Sequence, residues 1–376
     1  MLIDAVNIIS FDVPFPANYG GVIDVYYKLV WLKKAGVKIH LHCFSYGRSV
    51  APELETLCEK IYYYKRKTGL LSNFSLLPYT VKSRQSAELE KNLLSNDFPI
   101  LFEVLHTCYL LNDERFKHRK KIYRHSNIEH DYYQELSKSE NDILKKIYLK
   151  IEAKKLKRFE TVLNYADVIL SVNKEDTNYF KANYPKAKTY YLPSFHENEQ
   201  VTSLIGNGNY ILFHGNLSVS ENYEAALWLV KNVFSKISYK VIIAGLNPPE
   251  ILFNAIKNYN HIELISSPDS NHMNELIREA QLHILHTKQP TGLKLKLLNV
   301  LFKGRFVICN SNMTVGTGII ENDSLIVANE PSVFIKKINF LIDKDFTQSE
   351  FNERQNLVFY FNNFNNCRQL MDIINA

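Results

Sequence analysis

Short apolar runs followed by stretches of helical periodicity recur along this chain, and the series runs twice. The first series has apolar runs at 5–10, 38–44, 60–67, 98–105, 121–123, 168–172 and 188–192. It stops at a polar stretch, 193–208, that contains Pro193, His196, Glu197, Asn198, Gly206 and Asn207. The second series has runs at 210–214, 240–244, 262–265, 282–285 and 306–310. Apolar runs this short, alternating with amphipathic helices, are the pattern of parallel strands buried on both faces. Two such series predict an α/β chain with two Rossmann-like domains, each built on its own parallel sheet. With 376 residues, of which 46% are hydrophobic, the chain has enough apolar material for two cores. The expected domains are 1–195 and 208–350, followed by a helical segment, 351–376, with Phe351, Leu357, Phe359, Leu370 and Ile374 available for burial.

The most informative segment spans 291–305. Leu297, Leu298, Leu301 and Phe302 repeat at helical spacing, Gly292 stands ahead of them, and Gly304 stands where a helix would close. Lys294 and Lys296 fall in the first turn, where the helix dipole is already positive. Cations at that end fit an anion seated among outward-pointing amides, with phosphate the usual one. A second backbone-lined position is offered by Gly20 and Gly21, after the proline-bearing loop 12–19 and before a helix whose Val22, Val25, Tyr26, Leu29, Val30 and Leu32 face inward. A third is the strand end Phe213-His214-Gly215-Asn216, with Asn222 a few residues on. Ligands of open α/β sheets sit at the carboxyl ends of strands. That rule makes His106, after the run 98–105, the first candidate for proton exchange or for a hydrogen bond to a hydroxyl.

The order of these segments resembles retaining GT-B glycosyltransferases of the family-4 type over nearly the whole chain. The 291–305 segment resembles their donor-binding element, in particular a subgroup with Gly-x-Lys-x-Lys in its first turn. In most members two glutamates stand eight positions apart there; here those places hold Thr291 and Asn299. The cluster 124–130 resembles their Arg-x-His-Asn-x-Glu element through Arg124, Asn127 and Glu129, although the histidine place falls on Ser126 and His125 sits one earlier. The resemblance implies two domains facing across a cleft, with a C-terminal helix crossing back to the first. It implies donor contacts from Gly20, Gly21, His214, Gly215, Asn216, Thr291, Gly292, Lys294, Lys296 and Asn299, and catalytic roles for Glu129 and Arg124 beside His106. The substrates it implies are a nucleotide-sugar donor and a glycan or lipid-linked acceptor in cell-surface polysaccharide synthesis. Attack would come from the face the leaving group departs from, which requires no carboxylate nucleophile.

The remaining features bound the alternatives. A formal net charge of +6 is thin for a nucleic-acid binder, and no nucleic-acid motif is present. A basic-aromatic tip, 62–67, with Lys82 and Arg84 nearby, is expected to meet acceptor or an anionic membrane surface. The basic run 154–158 reads as a solvated helix face. Five scattered cysteines without C-x-x-C spacing fit a reducing compartment. No signal-peptide pattern opens the sequence and no apolar run is long enough to span a bilayer, so a cytoplasmic protein, peripheral at most, is expected. No metal or other cofactor is expected: His40 and His42 make too small a ligand set, and the only Asp-x-Asp, at 343–345, reads as a loop. Three other functions fit the same residues. They are a sugar-nucleotide epimerase recruiting Glu103, His106 and Glu129, a non-catalytic GT-B partner subunit, and a polyanion-binding protein using the 62–67 tip.

Overall fold

The structure is a computed structural model that describes residues 5–69, 75–140, 142–290 and 292–376. The first sheet comprises β1 (Ala5–Ser10), β2 (Lys38–Ser45), β3 (Lys60–Lys65), β4 (Ile100–Glu103), β5 (Lys121–Arg124), β6 (Val168–Ser171) and β7 (Lys188–Tyr191), in the order β3-β2-β1-β4-β5-β6-β7. The second comprises β8 (Ile211–Gly215), β9 (Val241–Gly245), β10 (Ile262–Ser266), β11 (Leu282–Leu285), β12 (Phe306–Cys309) and β13 (Leu325–Val327), in the order β10-β9-β8-β11-β12-β13. Every strand pair in both sheets is parallel. Each order reverses once, between β1 and β4 in the first sheet and between β8 and β11 in the second. These two switch points are where an open sheet leaves a crevice.

The chain divides into two compact units. One holds 1–197, 291–293 and 363–376; the other holds 198–290 and 294–362. In the first unit, one sheet face packs Val6, Ile8, Leu41 and Leu101 against Val25, Leu29 and Leu32 of the helix Gly20–Lys34 and Leu370 and Ile374 of the helix Asn363–Asn375. The other face buries Phe44, Phe102, Phe116 and Phe180. In the second unit, Phe213, Ile243, Ile284 and Ile308 meet Ala226, Leu229 and Phe334 from flanking helices. Gly304 ends the helix Leu295–Lys303 at an ordinary φ of −90°, so conformation does not require glycine there. Space does, because a Cβ would lie 2.2 Å from Nε2 of the buried His283.

Two expectations change. The run 98–105 is a strand only to Glu103: Val104 turns to a φ of 58°, and a 3-10 helix, Leu105–Leu110, follows. Between β5 and β6 the chain forms a helix Glu129–Ser139, a helix Ile143–Phe159 and a 3-10 segment Glu160–Tyr165. The segment 351–376 does not return as one helix. Its first part belongs to the helix Gln348–Val358, which Arg354 fixes in the second unit by donating to the carbonyls of Leu301 (3.1 Å), Arg305 (2.6 Å) and Ser324 (3.2 Å). Only the helix Asn363–Asn375 joins the first unit, where Asn363 Nδ2 donates to the carbonyl of His196 at 2.6 Å.

Candidate active site

In the second unit, the carboxyl ends of β8 and β11 bring together residues far apart in sequence. β8 ends at Gly215, and Asn216 forms the turn beyond it, its Oδ1 accepting from the Ser218 backbone at 3.1 Å and hydroxyl at 2.6 Å. The helix Ser220–Asn232 then begins without a side-chain cap, leaving the Ser220 and Glu221 amides available, while that of Asn222 donates to the Val219 carbonyl at 3.0 Å. Asn222, in its first turn, donates to the Asn216 carbonyl at 2.9 Å and accepts from Lys296 Nζ at 2.9 Å. Lys296 thus reaches the loop after β8, which carries no cation of its own. Beside it, Glu221 accepts a hydrogen bond from the Thr287 hydroxyl, and the Thr287 amide donates to Asn310 Oδ1 at 3.1 Å. Burial and the neighbouring Lys294 push the Lys296 ammonium down to about 8 against the pull of Glu221. A cation held in a partly dry crevice with one carboxylate close by is under-neutralised, and an anionic ligand would relieve that.

Several expected donor contacts take other places. His214 is buried within β8, and burial pushes it down to about 3, so it presents no charge to a ligand. Asn299 lies on the helix Leu295–Lys303, where its Oδ1 accepts from Asn198 Nδ2 at 2.9 Å. Lys294 is the N-cap residue and Lys296 occupies the first turn. Gly292 has a φ of 69° and belongs to the first unit, where a Cβ would lie 2.6 Å from Asn127 Oδ1. Only glycine fits that position. Thr291 lies outside the described residues.

In the first unit, the switch point between β1 and β4 is floored by a buried network that the sequence reading missed. Lys28 Nζ donates to Glu103 Oε1 at 2.5 Å and lies 3.4 Å from Asp24. Asp24 also accepts from Arg124 Nε at 3.0 Å and from the Phe195 amide at 2.7 Å. Burial works against ionised Asp24, but Arg124 and Lys28 outweigh it and hold its carboxyl below the usual range. Burial raises Glu103. Arg124 is 1% exposed and gives its remaining donors to the carbonyls of Leu192 (2.6 Å) and Pro193 (3.0 Å). It is therefore a structural anchor, with four of its five N–H donors committed to protein oxygens. Glu103, tied to Lys28, is equally removed from the acid–base set an epimerase would need. The one sequence clue was an acid and a base four apart among the inward-facing residues of the helix Gly20–Lys34.

His106 and Glu129 do come together. Their Nε2 and Oε2 atoms lie 3.2 Å apart, with Glu129 buried and His106 retaining 16% of its side-chain surface. His106 sits in the 3-10 helix after β4, and Glu129 is the first residue of the helix after β5. Both positions are at carboxyl ends of neighbouring strands. His125 is buried under Phe180 instead, with ring centroids 4.8 Å apart. Gly20 opens the helix beyond β1 and has free space around it, whereas a Cβ at Gly21 would meet the Phe11 ring. The loop between is pinned as its prolines predict: Arg84 donates to the Phe11 carbonyl at 2.9 Å, and Arg48 binds the Pro16 carbonyl.

The basic-aromatic tip is partly withdrawn from the surface. Tyr64 is buried, bonding His42 and Asn92 at 2.9 Å each, and Tyr62 stacks on His42 at 4.9 Å. Arg66 donates to Ser83 Oγ at 3.0 Å and Arg84 is buried, whereas Lys65 and Lys67 stay exposed. Asp343 and Asp345 flank a turn in which Lys344 pairs with Glu350 at 2.8 Å. Among the described residues no three His, Cys, Asp or Glu side chains are placed to share a metal ion, and no helix is long and apolar enough to cross a membrane.

No family model matches the chain. A protein of Klebsiella pneumoniae, described as an uncharacterised 44.6 kDa protein in the cps region, is 28% identical over 354 residues, covering 88% of this chain and 89% of that one. Among solved structures, TarM superposes with a TM-score of 0.72 at 10% identity, covering 100% of this chain and 99% of its own. A variant of TarM from S. aureus was solved with fondaparinux, alpha-GlcNAc-glycerol and UDP. HepE of Anabaena, solved with UDP and glucose, superposes with a TM-score of 0.60 at 11% identity, covering 98% and 97%. The lipopolysaccharide outer core galactosyltransferase WaaB gives 0.58 at 13%, covering 96% and 98%. The fold is thus the two-domain GT-B fold.

Proposed function

We propose that this chain is a retaining glycosyltransferase that moves a sugar from a nucleotide-sugar to a glycan or lipid-linked acceptor in cell-surface polysaccharide synthesis. The observation that carries this is Lys296, held at the β8–β11 switch point over the uncapped start of the helix Ser220–Asn232. A departing nucleoside diphosphate needs its growing charge met there, and a preorganised ammonium beside the Ser220 and Glu221 amides would meet it. The UDP bound in HepE and the cps-region setting of the Klebsiella relative support the same reading. In the step itself, an acceptor oxygen bonds to the sugar's anomeric carbon as its bond to phosphate oxygen breaks. The acceptor proton passes to that phosphate. His106, steadied by Glu129, would hold a sugar hydroxyl in place.

The test is diphosphate affinity. Lys296→Ala should weaken UDP or GDP binding roughly 10- to 100-fold, as for loss of a hydrogen bond from a charged group worth about 1.5–3 kcal/mol. The pH dependence has a defined sign. The protonated ammonium is the binding form, so wild-type affinity should be full below about 8 and fall as pH rises through it. Lys296→Arg, which keeps its charge, should flatten that fall. Calorimetry showing no diphosphate binding by the wild type, or equal affinity in Lys296→Ala, would overturn the donor reading.

Transfer should also proceed unchanged in excess EDTA. Leaving-group charge in this reading is met by Lys296 and backbone amides. Activity lost to EDTA and regained with manganese would show that a metal supplies it instead.

A further inference from the structure

The helix Ile143–Phe159 carries two opposed faces. Inward it buries Glu152, Ala153 and Leu156, with Leu149 partly buried beside them. Outward it presents Ile143 (73% exposed), Leu144 (80%), Ile147 (50%) and Ile151 (48%), with Tyr148 alongside. These positions repeat at three- and four-residue spacing and form one apolar stripe over the first half of the helix. Single exposed apolar residues need no explanation, but a contiguous stripe marks a contact surface. Over the second half the same outward side turns basic, with Lys154 and Arg158 in line with the stripe and Lys150 and Lys157 flanking it.

Charge indicates what covers the stripe. The helix holds seven cations against the single carboxylate of Glu152, a surplus of six that equals the formal net charge of +6 of the entire chain. Glu152 is turned inward and occupied, accepting from the Tyr79 amide at 2.7 Å and pairing with Lys155 at 2.9 Å. Among the described residues no carboxylate pairs with Lys146, Lys150, Lys154, Lys157 or Arg158. At the basic end lies a cavity of about 520 Å³, with Leu77, Phe159 and Val162 among its lining residues, Lys155 and Arg158 beside them, and Leu76 (82% exposed) also lining it.

An apolar stripe bounded by unneutralised lysines is the pattern of a helix lying in the boundary between lipid headgroups and acyl chains. We propose that the helix Ile143–Phe159 is the surface by which this protein docks on an anionic lipid bilayer. Ile143, Leu144, Ile147 and Ile151 enter the acyl boundary, and the lysines and Arg158 meet lipid phosphates. The proposal does not depend on the transferase reading.

Flotation of the full chain with vesicles tests it. The wild type should float with phosphatidylglycerol–phosphatidylcholine vesicles and much less with phosphatidylcholine alone, and salt should release it. Each cation near an anionic surface contributes roughly a factor of five, so replacing Lys150, Lys154 and Lys157 by glutamine should weaken binding about 100-fold. Leu144→Ser with Ile147→Ser and Ile151→Ser should abolish stable insertion. All six side chains point outward, and circular dichroism checks that the fold is kept. Absence of flotation by the wild type, equal binding to neutral vesicles, or unchanged binding by both triple variants would overturn the proposal. So would a lipid-free dimer that the serine variant converts to monomer, because the stripe would then belong to a second copy.

Discussion

Arg124→Met should lower the stability of the first unit by about 3–5 kcal/mol, the cost of removing one partner from a buried ion pair. The size follows from what is left behind. Asp24 would keep Lys28 at 3.4 Å and the Phe195 amide, but lose the guanidinium that holds two of its contacts. The carbonyls of Leu192 and Pro193 would lose their donors as well. The chain has two tryptophans, Trp31 in the first unit and Trp228 in the second. Urea unfolding followed by Trp31 fluorescence in a Trp228→Phe background therefore reads the first unit alone. Asp24→Asn should act in the same direction. If Arg124 served the reaction instead, its loss would leave the Trp31 transition in place and lower only turnover.

His106→Ala should lower the turnover number by roughly 10²-fold or more, the scale of a positioned acid–base or hydrogen-bonding group. Diphosphate affinity should hardly change, because the proposed diphosphate site is built from residues of the other unit. Glu129→Gln should lower turnover less, since the amide keeps a polar atom within about the same 3.2 Å of the imidazole. Single-turnover kinetics separates the chemical step from binding. Near-normal turnover in His106→Ala would leave the histidine as a partner that merely satisfies buried Glu129.

The strands were legible because parallel sheets bury both faces, so β12 reads as an unbroken apolar run and β1 and β8 as mostly apolar ones. β13 escaped because Leu325–Val327 is three residues long and has no periodicity to show. The end of β4 escaped because a β-branched residue at positive φ is not a pattern any window detects. Lys296 was legible from its wrong-end charge, but its meeting with Asn222, 74 positions away, was not. Arg124 shows the opposite failure. It matched a motif, and what commits it to the core instead is Asp24, 100 positions earlier. Within the 62–67 tip Tyr64 was misplaced for a similar reason, since it hydrogen-bonds to His42 of the adjacent strand and so turns inward, leaving Lys65 and Lys67 exposed.

Gly304 and His283 have a consequence for how this sequence can drift. Since the glycine sits at an ordinary backbone angle, nothing forbids a side chain there except the imidazole 2.2 Å from where its Cβ would stand. Descendants can therefore exchange the glycine for alanine only in lineages where position 283 has first become smaller. The carbonyl of Gly215, 1.8 Å from where a Cβ of Gly245 would stand, offers no such route, because a backbone atom cannot be mutated away. Of two glycines that look alike in the sequence, one is tied to a neighbour and changes in step with it, and the other is fixed for as long as β8 and β9 stay paired.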